Sequence, residues 1–437
     1  MIATNKLELL LGNKWKIKIA FFLTVYLLCL CSLLFSQDEE ESTDENAQEE
    51  TTPPQGRTEK EIDAMVQQHK LRLGILRIQP ILRLRTGYDN NALFRGNHIE
   101  GDYFAAATPG ASVGVKIGHR AFVRAIEQVE FLYYHKFHER RDIYPITRGE
   151  VITGSDNVLV RLLGGYVRRK DVIDLDEEID VPVDRRIIDG RMTVTHPLTQ
   201  RMSLSHSVGV VRHEYIQDSE FGSLFLNLRN HQTYNFTNGF EYAYKQDLSF
   251  IGDFTIGHSR DLDSDQSSNF WSVLGGIRFV KSSFTGSIRA GFGEGDTGEE
   301  RRRHRFLIDG TVERQLGRRL QLGAFASRKY ETSAFLSSGF RVTTIAGIHA
   351  HVPLVNRLSI NGSLAGGVND YGNNLIEGQP VKNDHFLRTS AFLSVRVYRR
   401  LALHFGGTYT HRDTQVSIFN RKRFTYLIGF GYSFTLD

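Results

Sequence analysis

The chain has 437 residues and a formal net charge of +4, and its 40 Gly, 29 Phe and 17 Tyr against 9 Pro are typical of strands joined by turns. This composition argues against a helical or doubly wound protein, and the length suits two or three ordinary domains or one large barrel. Residues 72–437 hold 39 Arg, 8 Lys and a net charge of +9, an excess compatible with nucleic acid, an anionic ligand or an anion-favouring pore.

Residues 1–36 have the pattern of a secretory signal peptide. Three lysines precede an unbroken apolar stretch over residues 19–35, and an acidic segment follows it. An uncleaved anchor helix is the alternative, and a lipid-modified Cys31 is disfavoured because Leu30 stands where a small residue is expected. Since Cys29 and Cys31 both lie in this stretch, the mature chain would have no thiol for a disulfide, a metal or a nucleophile.

Residues 37–72 are predicted to form an acidic, disordered periplasmic tether. Residues 38–50 contain eight acidic residues and no basic one, which is too charged and too poor in apolar groups to fold. Residues 59–73 also suit a short amphipathic helix or a small plug, although a solvated tether is the simpler expectation.

Residues 73–437 alternate with period two, which predicts an all-β protein: a transmembrane, antiparallel, up-and-down β-barrel. The last strand shows the pattern best, and we interpret it as the C-terminal assembly strand that closes the barrel on a first strand near residues 75–88. Its lipid-facing side is expected to comprise Phe424, Tyr426, Ile428, Phe430, Tyr432 and Phe434.

Short and long connections alternate along the chain, as periplasmic turns and outer loops do in outer-membrane barrels, whereas a soluble sandwich has no reason to sort them. Long polar loops are expected around residues 89–102, 170–185, 214–230, 260–268, 293–303, 331–340, 369–384 and 411–423. The alternation of short and long connections requires an additional strand over residues 142–153. The barrel then has about 18 strands (16–18), and both ends of the chain lie on the periplasmic side. Glu127 then falls on the lipid-facing side, which suggests a shifted or bulged register.

A family resemblance follows from the order of these features. The signal peptide, the acidic tether, the first strand running into Gly87-Tyr88-Asp89-Asn90-Asn91, and Pro109-Gly110 in the second strand resemble the outer-membrane β-barrel porin-2 families, which are associated with exopolysaccharide. The final strand resembles the C-terminal assembly signal of outer-membrane proteins, except that Thr435-Leu436-Asp437 follows Phe434. The resemblance implies a barrel in the bacterial outer membrane and suggests a role with saccharides.

The predicted inward faces are rich in basic residues. The pore-lining set comprises Arg77, Arg83, Arg85, Lys116, Arg161, Arg191, Arg278, Arg289, Arg305, Arg388 and Arg396, joined by Arg124, Lys329 and Arg341. Six acidic residues are expected on the same faces, namely Glu130, Asp189, Glu241, Asp253, Asp309 and Glu313. Barrels of 16 to 18 strands are wide enough for water, and arginines in a pore attract anions. Ladders of Arg with Asp or Glu that brace the wall are the alternative.

Two motifs resemble ligand sites but lack the required context. Gly293-x-Gly295-x-x-Gly298 follows a strand, yet another strand and not a helix is predicted after it, so a dinucleotide site is not expected. Asp261, Asp263 and Asp265 have the opening spacing of a calcium loop without its later ligands, so no metal is expected. We therefore predict no cofactor, no nucleic acid partner and no catalytic residue.

Together these patterns predict an outer-membrane channel that passes anionic solutes or acidic polysaccharide. A non-conducting structural or surface-interaction barrel is the alternative, and an outer-membrane enzyme is a more distant one. The expected partners are outer-membrane lipid, lipopolysaccharide and the barrel-assembly machinery. The interior charge and the closing strand are the features on which this hypothesis depends.

Overall fold

The structure is a computed structural model of the chain. It describes residues 62, 63, 65, 66, 69, 71–92, 99–155, 157–169, 183–216, 229–264, 266–297, 300–317, 320–333, 339–355, 357–371, 375–376, 379–380, 383–398, 401–414 and 420–433. The predicted signal peptide, the acidic run of the tether and Phe434 lie outside these residues. No helix in the described part of the chain is both long and apolar enough to cross a membrane.

Eighteen long strands form one antiparallel sheet in the described residues. They are β1 Leu76–Asp89, β2 Asp102–Ile117, β3 Ala121–Tyr134, β4 Asp142–Ser155, β5 Val158–Arg169, β6 Asp184–Pro197, β7 Met202–Ile216, β8 His231–Lys245, β9 Leu248–Asp261, β10 Ser267–Lys281, β11 Phe284–Thr297, β12 Glu300–Leu316, β13 Leu320–Thr332, β14 Phe340–Val355, β15 Leu358–Asp370, β16 Asn383–Tyr398, β17 Leu401–Thr414 and β18 Arg421–Ser433. A short strand, Leu71–Leu73, pairs with the start of β1. The predicted number of strands, including the additional strand β4, is confirmed.

The sheet closes into a barrel because the first and last strands pair with each other. Strands β1 and β18 are antiparallel, in a register that runs from Ile81↔Ser433 to Asp89↔Thr425. Every other strand pairs with its neighbours in sequence, so the wall has no free edge in lipid. The predicted closure of the barrel by its C-terminal strand is confirmed.

Connections differ between the two ends of the barrel. At the end that holds the start of β1 they are tight turns, and Gly118 and Gly317 there have φ values of 57° and 62°, which favour glycine. At the opposite end most connections are longer, as expected.

The loop predicted over residues 293–303 is wrong, because β11 continues to Thr297 and β12 begins at Glu300. Polar, glycine-rich strand ends have the composition of a loop, yet Gly293↔Arg305 and Gly295↔Arg303 are paired.

The outer face of the barrel is apolar. Large hydrophobic side chains are exposed there strand after strand, as on β8 to β11 with Tyr234, Phe236, Phe240, Phe250, Phe254, Trp271, Val273, Ile288 and Phe292. On β18, Tyr426 and Ile428 are 57% and 51% exposed. A soluble protein does not expose a continuous band of this kind, whereas a transmembrane barrel requires it.

Glu127 is an exception on this outer face. It lies near the middle of β3, and pairs with Ala111 of β2 and Thr147 of β4 in a regular register. The bulge or shift suggested from the sequence is therefore wrong, and the carboxylate does point outwards. Its Oε2 accepts a hydrogen bond of 2.5 Å from the Thr147 hydroxyl, which partly compensates for the missing water.

We expect Glu127→Leu to raise the free energy of unfolding in lipid vesicles by up to about 2 kcal/mol, because a carboxylate near the midplane is unfavourable. Thr147→Val should lower it, since the carboxylate then loses its donor. Urea unfolding followed by tryptophan fluorescence measures both. A Glu127→Leu barrel that is less stable than the wild type would show that this face is not in contact with lipid.

Candidate functional site: the barrel lumen

The inner face of the wall holds all eleven predicted pore-lining basic residues. On most strands these residues have the parity opposite to the exposed apolar side chains. Leu163 on β5 is an exception, and Arg161 on that strand is placed by its contact with Glu150 at 3.4 Å. Ion pairs that pass over an intervening strand also identify the concave side. Arg85 of β1 reaches Glu130 of β3 at 2.7 Å, and Arg289 of β11 reaches Asp253 of β9 at 2.6 Å.

Many of these cations brace the wall rather than face open water. Arg278 pairs with Glu241 at 2.7 Å, and Arg289 also binds Asp309 on its other side. Further pairs join Arg124 and Arg161 to Glu150, Arg305 to Asp370, and Lys329 and Arg341 to Glu331. Lys116 pairs with Asp63 of the segment that precedes the first strand. The bracing ladders considered as an alternative therefore exist for part of the set.

Other cations of the inner face are not paired in this way. Arg77, Arg83, Arg191 and Arg396 have no ion-pair partner among the described residues, and the last three are exposed. Arg388, on the inner face of β16, has a partner of its own and does not belong to this group. The interior surface is thus positively charged where these side chains are located, even though ion pairs neutralise the stretches between them.

The sequence did not reveal several inward acidic residues. Glu150 lies on β4, a strand inferred from loop parity without an assignment of its faces. Asp89, Asp261 and Asp384 lie at strand ends that were predicted to be loops, and so do their partners Arg412 and Arg423. The strands extend into these segments, which brings the ends of neighbouring strands close enough for ion pairs.

A hairpin bends into the lumen at the outer end. The pairing of β12 with β13 ends at Ile308↔Arg328, while β13 continues to Thr332 paired with β14. Beyond that point the hairpin touches strands that are not its neighbours. The Tyr330 hydroxyl donates to the Gly293 carbonyl of β11 at 3.2 Å, and the Thr332 and Thr233 hydroxyls are 2.9 Å apart. Such contacts with β8 and β11 are possible only across the interior.

Packing holds this hairpin against the inner wall. Phe340, Val342 and Tyr330 form a buried cluster with Leu307. The ring centroids of Phe340 and Phe270 are 4.8 Å apart in an edge-to-face arrangement. A Cβ atom at Gly293 or Gly295 would lie 3.1 or 3.0 Å from the Tyr330 ring. The glycines that resemble a dinucleotide motif therefore allow the hairpin to approach β11. As a result, the outer half of the lumen is narrower than the barrel itself.

The end of the predicted tether also packs inside the barrel, in its described residues. Ile62 and Val66 are buried against Phe122 and Ile152 on the inner face of β3 and β4. His69 Nε2 lies 2.6 Å from the Ser112 hydroxyl. This segment occupies part of the lumen near the end with the tight turns, as the plug considered from the sequence would.

The packing of this segment is expected to depend on pH. Burial lowers the pKa of His69 from its usual 6.5, the nearby Arg124 and Arg77 lower it further, and only the bond to the Met65 carbonyl raises it. The neutral ring is therefore favoured in the packed segment, and packing weakens as the pH falls below 6.5. Hydrogen exchange over residues 62–69 should accelerate at pH 5 relative to His69→Gln, whose side chain does not titrate. Equal pH dependence in both proteins would contradict this.

No protein-family model matches the chain, and no curated protein matches it. Among solved structures, OccK2 (OpdF) from Pseudomonas aeruginosa is 9% identical over 82% of this chain and 98% of its own, with a TM-score of 0.48. A BenF-like porin from Pseudomonas fluorescens Pf-5 is 11% identical over 82% and 99%, with a TM-score of 0.45. The FrpB iron transporter from Neisseria meningitidis (F5-1 variant) is 10% identical over 80% and 65%, with a TM-score of 0.47, so this chain spans less than two thirds of that protein. These similarities concern the barrel fold alone.

Proposed function

We propose that the chain is an outer-membrane channel for anionic solutes, acidic polysaccharide included. The observation that carries the proposal is the set of exposed inner-face arginines, Arg83, Arg191 and Arg396, which have no ion-pair partner among the described residues. In a narrow, low-dielectric lumen, such cations raise the local concentration of anions and repel cations. The proposal includes no enzymatic activity.

An outer-membrane location follows from the same proposal. The apolar outer face requires a bilayer, and closed barrels of this kind are typical of the bacterial outer membrane. Lipid and lipopolysaccharide would then contact the outer face, and the barrel-assembly machinery would insert the protein. Membership of the porin-2 families, with their link to exopolysaccharide, rests on the sequence resemblance and belongs to the proposal.

Ion selectivity tests the proposal. In planar bilayers under a salt gradient, the reversal potential should show higher permeability for anions than for cations. The combined change of Arg83, Arg191 and Arg396 to Gln should move the permeability ratio towards one, whereas Lys422→Gln on the outer face should leave it unchanged. The preference should also fade between 0.1 M and 1 M salt, as the screening length falls from about 10 Å to about 3 Å. Cation selectivity of the wild type would refute the proposal.

A non-conducting structural barrel is the second candidate, and one observation favours it. The infolded strands β13 and β14 occupy part of the lumen, and so do Ile62, Val66 and His69. If they close it, folded protein inserted into a bilayer will carry no current. The same bilayer recording therefore separates the two candidates.

A further inference from the structure

One stretch of the inner wall has arginines on two sides and residues with small side chains, or none, between them. We call this stretch the basin, and the residues between the arginines its floor. Across β16, β17, β18 and β1, the register aligns Arg396, Ala402, Gly431 and Arg83 in one row. Two of these four positions hold nothing larger than a methyl group. With neighbouring strands about 4.8 Å apart, the two arginine Cα atoms are about 14 Å apart along the wall. That gap suits a small molecule held between two guanidinium groups.

The next row towards the outer end continues the basin. It aligns Ser394, His404, Gly429 and Arg85 on the same four strands. Arg85 forms a 2.7 Å ion pair with Glu130, which neutralises its charge and fixes its side chain beside this row. Gly429 is buried, with Leu427 Cδ2 3.2 Å from where a Cβ atom would lie, so the bare floor is confined to Ala402 and Gly431. His404 and Ser394 extend the side formed by Arg396.

Polar groups on that side form a ladder suited to hydroxyl groups. His351 Nδ1 lies 2.6 Å from the Asn361 Oδ1, the Asn361 amide donates to the Ser394 hydroxyl at 3.2 Å, and that hydroxyl lies 2.8 Å from His404 Nδ1. These bonds fix the His404 ring by one nitrogen. Its other nitrogen has no partner in the described part of the chain, so it can donate to or accept from a solute.

We propose that this basin binds a carboxylate that carries hydroxyl groups, the chemistry shared by sugar acids. The carboxylate lies between Arg83 and Arg396, whose planar guanidinium groups suit two-point hydrogen bonding to it. The hydroxyl groups contact His404 and Ser394. The inference rests on the proposed function, because a solute reaches the basin only through an open lumen, and it adds a place and a class of solute to a general preference for anions.

Titration of the detergent-solubilised barrel with D-galacturonate, followed by saturation-transfer NMR, tests the site. Galacturonate should bind at least about tenfold more tightly than galactose, which lacks the carboxylate, or acetate, which lacks the hydroxyls. Arg83→Gln and Arg396→Gln should each weaken binding by about tenfold or more, because each change removes a charge-assisted hydrogen bond to the carboxylate.

Arg191→Gln is the matched control. Arg191 is an exposed inner-face arginine without an ion pair among the described residues, but it lies five strands from Arg83, so its loss should leave galacturonate binding unchanged. His404→Phe keeps the arginines and should reduce binding of galacturonate towards that of acetate. Equal weakening by Arg191→Gln, or no binding to the wild type, would overturn the site. If the wild type still prefers anions in the bilayer recording, the proposed function stands although the basin does not bind.

Discussion

A chain that lacks residues 424–437 should fail to assemble. In the full chain, β18 pairs with β17 from Leu401↔Tyr432 to Arg412↔Arg421 and with β1 from Ile81 to Asp89. Its removal exposes two long edges, and each unpaired N–H or C=O group in lipid costs several kcal/mol, so no rearrangement of loops can compensate. We expect the truncated protein to be degraded in the periplasm and to give no heat-modifiable band on unboiled gels.

The matched control is a deletion that leaves the wall intact. A short hairpin between β15 and β16, formed by Leu375–Ile376 and Gln379–Pro380, is paired within itself. A chain without residues 373–381 should still assemble and show heat-modifiable mobility. A compact, heat-modifiable band from the C-terminal truncation would mean that β18 does not close the barrel.

The change Arg412→Met should be the most destabilising single substitution in the wall. The Arg412 guanidinium binds Asp384 through two nitrogens, with Nε at 2.9 Å from Oδ1, and both side chains are almost fully buried. The substitution leaves a buried carboxylate without its cation, which costs about 3–5 kcal/mol. Only the Asn369 amide, 3.1 Å from Asp384, remains as a donor among these contacts.

A second substitution distinguishes loss of the ion pair from a packing defect. In the double variant Arg412→Met with Asp384→Leu, no buried charge is left, so most of the lost stability should return. Urea unfolding in lipid vesicles measures the three proteins. If the double variant is as unstable as Arg412→Met alone, the effect arises from packing and not from the unpaired carboxylate.

The barrel could be predicted from the sequence because a strand has a simple geometry. Successive side chains point to opposite faces, so the alternation in Phe424 to Phe430 identifies both the lipid-facing side and the closing position. The same parity places Arg83, Arg191 and Arg396 on the inner face. The alternation of side chains is read from the sequence of one strand alone, so this prediction needs no knowledge of the neighbouring strands.

Other features depend on contacts that the sequence does not display. The infolded hairpin requires β13 to leave β12 after Arg328, and that departure is stabilised by Tyr330 and Phe340 packing on β10 and β11. Polar strand ends such as those at Asp384 and Arg412 have the composition of loops, and only pairing with the neighbouring strand keeps them extended. Contacts between residues far apart in sequence therefore determine the shape of the lumen.

Thiol labelling of two adjacent positions in β16 tests most directly whether the barrel encloses water within a membrane. Ser390 lies on the inner face and Ala391 on the outer face, and the chain has no cysteine beyond Cys31. In protein embedded in lipid vesicles, an anionic water-soluble thiol reagent should modify Ser390→Cys, and do so faster than a cationic one, while Ala391→Cys stays unmodified. Equal labelling of the two positions, or labelling of Ala391→Cys alone, would contradict a membrane barrel with a basic aqueous lumen.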